Sequence, residues 1–192
     1  MNSSEQLHLS RWILFSTLGW LLGIALGIFF SSVFESIHVQ GQFPLAMGVA
    51  MGVGFMQWVL IRKYTPITLS WMWMLVAGLT LPFLPFDLLP FFSDWKPESY
   101  IVIAVAIGAS LSGFMQYKFC LAPINARSTR WILFSLAGWV VAAAFVFLVF
   151  STIKGIPRLL AVFVAFANLI SGGPILGWIT GKFMTGFINR AK

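Results

Sequence analysis

Long apolar stretches separated by short polar segments organise this chain. They run from about Trp12 to Phe34, Pro44 to Ile61, Trp71 to Leu89, Tyr100 to Leu121, Trp131 to Phe150 and Leu159 to Met184. Crossing about 30 Å of hydrocarbon takes roughly 20 helical residues. Each stretch is near that length, so six membrane-spanning helices are expected. The first exceeds the usual core of roughly 7–15 residues in a signal peptide, and no A-x-A site follows it. It is therefore read as a retained span.

The apolar pattern also repeats. Arg11-Trp-Ile-Leu-Phe-Ser16 recurs as Arg130-Trp-Ile-Leu-Phe-Ser135, and each copy continues to a Gly-Trp pair, Gly19-Trp20 and Gly138-Trp139. A weaker copy begins at Trp71 and reaches Gly78-Leu79. A second element, Gly54-Phe-Met-Gln57, returns as Gly113-Phe-Met-Gln116, and a third copy is expected at Gly173 with Leu176 replacing the glutamine. The expected fold is an all-α membrane protein of six transmembrane helices, a single integral membrane domain over residues 1–192. It divides into three two-helix hairpins at about 11–69, 70–129 and 130–192. Each hairpin crosses twice, so all three share one orientation, and pseudo-threefold symmetry about the membrane normal follows.

Two motifs carry a resemblance. The W-x6-G-W segments from Trp12 to Trp20 and Trp131 to Trp139, with G-x-x-Q-W-x-x-[LI]-R from Gly54 to Arg62, resemble those of uncharacterised multi-pass membrane proteins common in cyanobacteria and other environmental bacteria. The second glutamine copy departs from this pattern, with Tyr117 for tryptophan and Cys120-Leu121 where the basic end belongs. The resemblance implies architecture and no particular activity.

Composition agrees with the pattern. The chain of 192 residues is 59% apolar and 9% charged, against about 25% charged in a soluble domain. Its net charge of +7 does not indicate a nucleic-acid partner, because the cations follow membrane orientation. Arg11, Arg62, Lys63, Lys118, Arg127, Arg130, Lys182, Arg190 and Lys192 lie on the side of the termini, and Lys96, Lys154 and Arg158 on the other. Both termini are expected in the cytoplasm, in a bacterial inner or photosynthetic membrane. The lipid bilayer and a membrane-protein partner are the expected partners.

Candidate chemistry is sparse. Cys120 stands alone, and His8 and His38 lie outside the spans. No carboxylate pair, Cys/His cluster or Gly-x-Ser-x-Gly element lies within the membrane, so no catalytic or metal-binding residue is expected. Haem or chlorophyll lacks an obvious intramembrane histidine ligand, and the cofactor, if any, stays unidentified.

Four residues stand out as ligand or polar-ring candidates. Gln57 and Gln116 each sit about one turn inside the cytoplasmic end of a span, on the face of the glycine three residues earlier. They read either as interhelical glue or as a polar ring lining a cytoplasm-facing cavity. Asn168, near the middle of the last span, reads as packing or substrate contact. Asp87 follows Pro82 and Pro85, which remove donors from the carbonyls of Gly78 and Leu81. The third span is expected to bend or end between Leu81 and Pro90. That leaves either a polar notch beside Asp87, with Phe83, Phe86, Phe91 and Phe92 around a cationic or amphiphilic ligand, or a packed kink with Asp87 hydrated.

Small residues at four-residue spacing, such as Gly19-Gly23-Gly27 and Gly173-Gly177-Gly181, predict close helix packing. Trp12, Trp58, Trp71, Trp131 and Trp178 are expected in an interfacial belt, and Trp20 and Trp139 deeper, against a cavity or in packing. The leading expectation for function is a non-catalytic subunit or scaffold of a membrane complex. The alternative is a small-molecule or lipid-binding transport protein with its site between the helices. Its size and six spans are similar to the substrate-binding subunits of energy-coupling-factor transporters, whose pattern does not include the tryptophan–glutamine repeat.

Overall fold

The computed structural model describes residues 6–36, 41–89, 100–124, 129–152 and 157–190. Among these the regular elements are all helical: α1 (Leu9–Ser36), α2 (Phe43–Ile61), α3 (Ser70–Thr80), α4 (Phe83–Leu88), α5 (Tyr100–Gln116), α6 (Arg130–Thr152) and α7 (Arg158–Arg190). Joined across short breaks, the described residues form six helices long and apolar enough to cross a membrane. The third combines α3 and α4, and the fourth extends α5 through one π-helical turn at Tyr117–Leu121. His38, Phe91, Phe92 and Trp95 lie outside the described residues.

The third span breaks where its prolines require. α3 stops at Thr80 and α4 starts at Phe83, immediately after Pro82. The Leu81 carbonyl, expected to be left free, instead accepts from the Leu84 N–H at 3.2 Å. A tighter three-residue turn thus replaces the helical bond that Pro85 cannot supply.

The helices close a ring. Each packs on the next, α1 on α2, α2 on α3, α3 on α5, α5 on α6 and α6 on α7, and α7 returns to α1. Small residues set the closest of these contacts. A Cβ on Gly23 would lie 2.6 Å from the Val49 Cα, so α1 and α2 approach backbone to backbone. Where α1 meets α7, a Cβ on Gly177 would lie 2.9 Å from the Ile13 Cα. Such approach maximises dispersion where lipid offers no hydrophobic drive between helices. Apolar side chains such as Phe29, Leu133 and Leu159 cover the outside of the ring, as hydrocarbon contact demands.

The inside of the ring has two halves. At the terminal end, where α1 begins and α7 finishes, Trp12, Trp71 and Trp131 are 0%, 0% and 2% exposed. They pack with Leu60, Ile61, Leu121, Met184 and Ile188 into a solid plug. The sequence places these three indoles in an interfacial belt, and the structure corrects that. Each begins the inward face of its helix, so depth along the helix matches a belt while orientation does not. Trp178 instead faces outward: it is half exposed, with the Lys182 Nζ 3.7 Å from its ring centre. Asn189 ties the chain ends together, accepting from the Leu7 N–H at 3.0 Å and donating to the Leu7 carbonyl at 3.2 Å.

Candidate functional site: an indole–amide girdle below an apolar cavity

Gln57 and Gln116 are the polar residues that the plug is built on. They are 3% and 1% exposed. The Trp71 indole donates to the Gln57 Oε1 at 3.4 Å, and the Trp131 indole to the Gln116 Oε1 at 3.1 Å. Each glutamine therefore accepts from the first tryptophan of the helix that follows it. The amide nitrogens reach back in the other direction. Gln57 donates to the Ser16 Oγ at 3.2 Å, and Gln116 to the Trp71 carbonyl at 3.2 Å. The difference has a local cause. Ser16 lies four residues after Trp12, but the residue four after Trp71 is Leu75, which has no hydroxyl to offer.

A third contact of this kind involves Thr180, which sequence reasoning missed. The Trp12 indole donates to the Thr180 Oγ1 at 3.0 Å, and Thr180 in turn donates to the Leu176 carbonyl at 2.7 Å. The glycines agree. Positions three before Gln57, Gln116 and Thr180 are Gly54, Gly113 and Gly177. A Cβ there would meet Met72 and Leu75, Ile132 and Ser135, and Ile13 and Ser16 respectively. Those are the first and fourth residues after Trp71, Trp131 and Trp12. In α7 these contacts fall at Gly177 and Thr180, one helical turn beyond Gly173 and Leu176. Leu176 itself is buried in the core.

Above the girdle a second apolar cluster, with Leu75, Leu79, Phe83 and Val105, leaves a half-open space beside it. A cavity of about 350 Å³ lies in the half away from the termini. Its wall is apolar, with Leu45, Ala46 and Val49 from α2 facing Ala143, Val146 and Phe147 from α6. Trp20, Trp139, Val49, Leu79 and Val105 are the lining residues nearest the plug, and so form the floor. The two floor indoles lie 5.9 Å apart, and the Trp20 N–H is taken by the Leu169 carbonyl at 2.8 Å. Trp20 and Trp139, expected against a cavity or in packing, do both: they are buried in the apolar cluster and line the cavity. Gln42 is the lining residue with a polar aliphatic side chain, and it stands at the far rim, where it makes no capping bond to α2.

Asp87 also lies at that rim. Its Oδ2 accepts from the Phe43 N–H at 2.6 Å, and the carboxylate rests where a Cβ on Gly41 would be. Asp87 therefore caps the start of α2 from α4, compensating an N-terminal donor that Gln42 leaves uncapped. Neither a free notch nor a purely hydrated carboxylate describes this arrangement. Phe83 lines the cavity, and Phe86 packs on Tyr100 at 5.6 Å.

Asn168 stands apart from the other three candidates. Its Nδ2 donates to the Val146 carbonyl at 3.0 Å, joining α7 to the α6 wall, while its Oδ1 is buried without a partner among the described residues. The four sequence candidates thus do not converge. Gln57 and Gln116 share Trp71 in the plug, Asp87 holds the rim, and Asn168 braces the wall.

Among the described residues no three His, Cys, Asp or Glu side chains come together in a way that could hold a metal ion. No family model matches the chain, and no curated protein or solved structure matches it significantly.

Proposed function

We propose that this is a non-catalytic integral membrane protein that binds a small apolar molecule between its helices. The cavity carries this reading: about 350 Å³ of apolar space, walled by α2, α3, α4, α5 and α6 and floored by indoles, falls within the range of ligand pockets. The lining offers dispersion contacts and very few polar groups, which suits a hydrocarbon chain better than a solute from water. We also read the chain as three hairpins about one axis, supported by the matching indole contacts to Gln57, Gln116 and Thr180. With the termini in the cytoplasm, as the cation asymmetry favours, the plug seals the cytoplasmic half and the cavity faces the outer leaflet.

The scaffold reading rests on α7, where Leu159, Leu160, Val162, Phe163 and Phe166 stay exposed. Lipid covers such side chains as well as a partner does, so the cavity reading stands ahead. The test is native mass spectrometry of the protein released from lipid nanodiscs. The parent is expected to retain a discrete apolar molecule, and Ala143→Phe, which fills the cavity, is expected to lose it. Equal retention by both would remove the reading.

A further inference from the structure

Away from the cavity, the outer edge of the plug repeats one arrangement on three helices. α2, α5 and α7 all run toward the terminal end of the molecule. Each lays a cation back over an aromatic ring one turn earlier. The Arg62 guanidinium lies 4.5 Å from the Trp58 ring centre, the Lys118 Nζ 5.8 Å from that of Phe114, and the Lys182 Nζ 3.7 Å from that of Trp178. Lys118 also reaches the Phe119 ring, at 5.7 Å. We infer that these cation–ring pairs bind the headgroups of anionic phospholipids, whose phosphodiester carries no cation of its own, around the edge of the plug.

Helix direction sets the depth. Side chains lean toward the N-terminus of their helix, so on these three helices each cation turns toward the membrane interior. Phe114, Phe119 and Trp178 are 46%, 54% and 50% exposed, so the rings face lipid and the charges beside them sit at the edge of the hydrocarbon. A cation there gives up part of its water, and a ring offsets only part of that cost. A carboxylate is the usual further partner. Among the described residues the acids are Glu35 and Asp87. Both lie toward the opposite end, and Asp87 is engaged with the Phe43 N–H. The anion available at the depth of these rings is a lipid phosphate. An acidic protein segment would approach from water across the chain ends and would not meet cations turned onto lipid-facing rings. A choline or ethanolamine headgroup brings its own ammonium, which repels a second cation; a glycerol headgroup does not.

The experiment places the protein in nanodiscs of equimolar phosphatidylglycerol and phosphatidylcholine with the same acyl chains, and identifies the lipids it retains in native mass spectrometry. The parent is expected to favour phosphatidylglycerol by roughly fivefold for each cation engaged. Lys118→Gln and Lys182→Gln are each expected to lower that preference by about the same factor, and Lys182→Arg to keep it. Lys63→Gln removes an equal charge from an exposed position at the same end, outside these pairs, and is expected to leave most of the preference in place. Equal retention of the two lipids by the parent overturns the inference, as does a preference unchanged in both lysine-to-glutamine variants of the pairs. A loss in Lys63→Gln as large as in Lys182→Gln also overturns it, because the attraction is then spread over the whole basic end. Displacement of the retained lipid by excess inorganic phosphate overturns it too, because the site then takes the free ion. None of these outcomes bears on the cavity reading.

Discussion

Trp131 donates its indole N–H to Gln116 across 3.1 Å, from the first turn of α6 to the last turn of α5. Trp71 and Gln57 join α3 to α2 in the same way, and Trp12 and Thr180 join α1 to α7. Each bond joins two neighbouring helices, and the last closes the ring. The amides thus fasten the plug on which the cavity rests.

Gln116→Leu is expected to destabilise the protein by about 1–2 kcal/mol, because it leaves the Trp131 N–H and the Trp71 carbonyl without this partner in an apolar interior. Thr180→Val keeps the shape and removes the acceptor for Trp12, so it is expected to cost a similar or smaller amount. Thermal unfolding in detergent, followed by near-UV circular dichroism, reads both. A Thr180→Val protein as stable as the parent would show that the third contact contributes nothing.

Glycines are expected to divide sharply by their surroundings. Gly23→Val forces a side chain against the Val49 backbone and should cost more than about 3 kcal/mol, beyond ordinary overpacking. Gly186→Ala meets nothing within 4 Å and gains helix propensity, so it is expected to be neutral or to stabilise by up to about 1 kcal/mol. Expression level and thermal midpoint of the two variants give the comparison.

Much of this was legible in the sequence, for physical reasons. Span length, four-residue spacing of small residues and proline placement act locally, so the six helices, the Gly23 and Gly177 contacts and the break after Thr80 follow from them. Gln57 and Gln116 were visible because amides are rare in such stretches. Thr180 was hidden because it stands 64 residues after Gln116, where Gln116 follows Gln57 by 59, and because threonine commonly bonds its own helix. The inward turn of Trp12, Trp71 and Trp131 was hidden because a helix end looks alike in sequence whether its indole faces lipid or protein. Asp87 acts on Phe43, 44 residues earlier, and nothing in its neighbourhood announces that partner. The cavity is made of spaces between ordinary residues such as Ala46 and Ala143, and a space has no sequence signature.

At the rim, Asp87→Ala is expected to lower stability by about 1 kcal/mol, the usual cost of losing a helix N-terminal acceptor. Asp87→Asn keeps an acceptor oxygen for the Phe43 N–H and should lose less. Hydrogen exchange of the first turn of α2 separates them: faster exchange in the alanine variant than in the asparagine one is expected, and equal rates would contradict the capping role.

Asn168→Leu is expected to leave stability unchanged or slightly raised. The substitution gives up one bond to the Val146 carbonyl and also removes a buried oxygen that lacks a partner. A loss of more than about 2 kcal/mol in thermal unfolding would contradict this and show that the bond to the Val146 carbonyl outweighs the unpartnered oxygen.

The most direct measurement uses the floor of the cavity as its reporter. A lauryl chain brominated at its terminal carbon, presented as a monoglyceride to the protein in nanodiscs, is expected to quench Trp20 and Trp139 saturably at low probe-to-lipid ratio. Trp20→Phe with Trp139→Phe should remove the saturable component and leave the gradual quenching of lipid-facing indoles such as Trp178. Ala143→Phe should abolish it with both indoles present. Quenching that rises only in proportion to probe in the bilayer, identical in parent and Ala143→Phe, would contradict a chain-binding cavity.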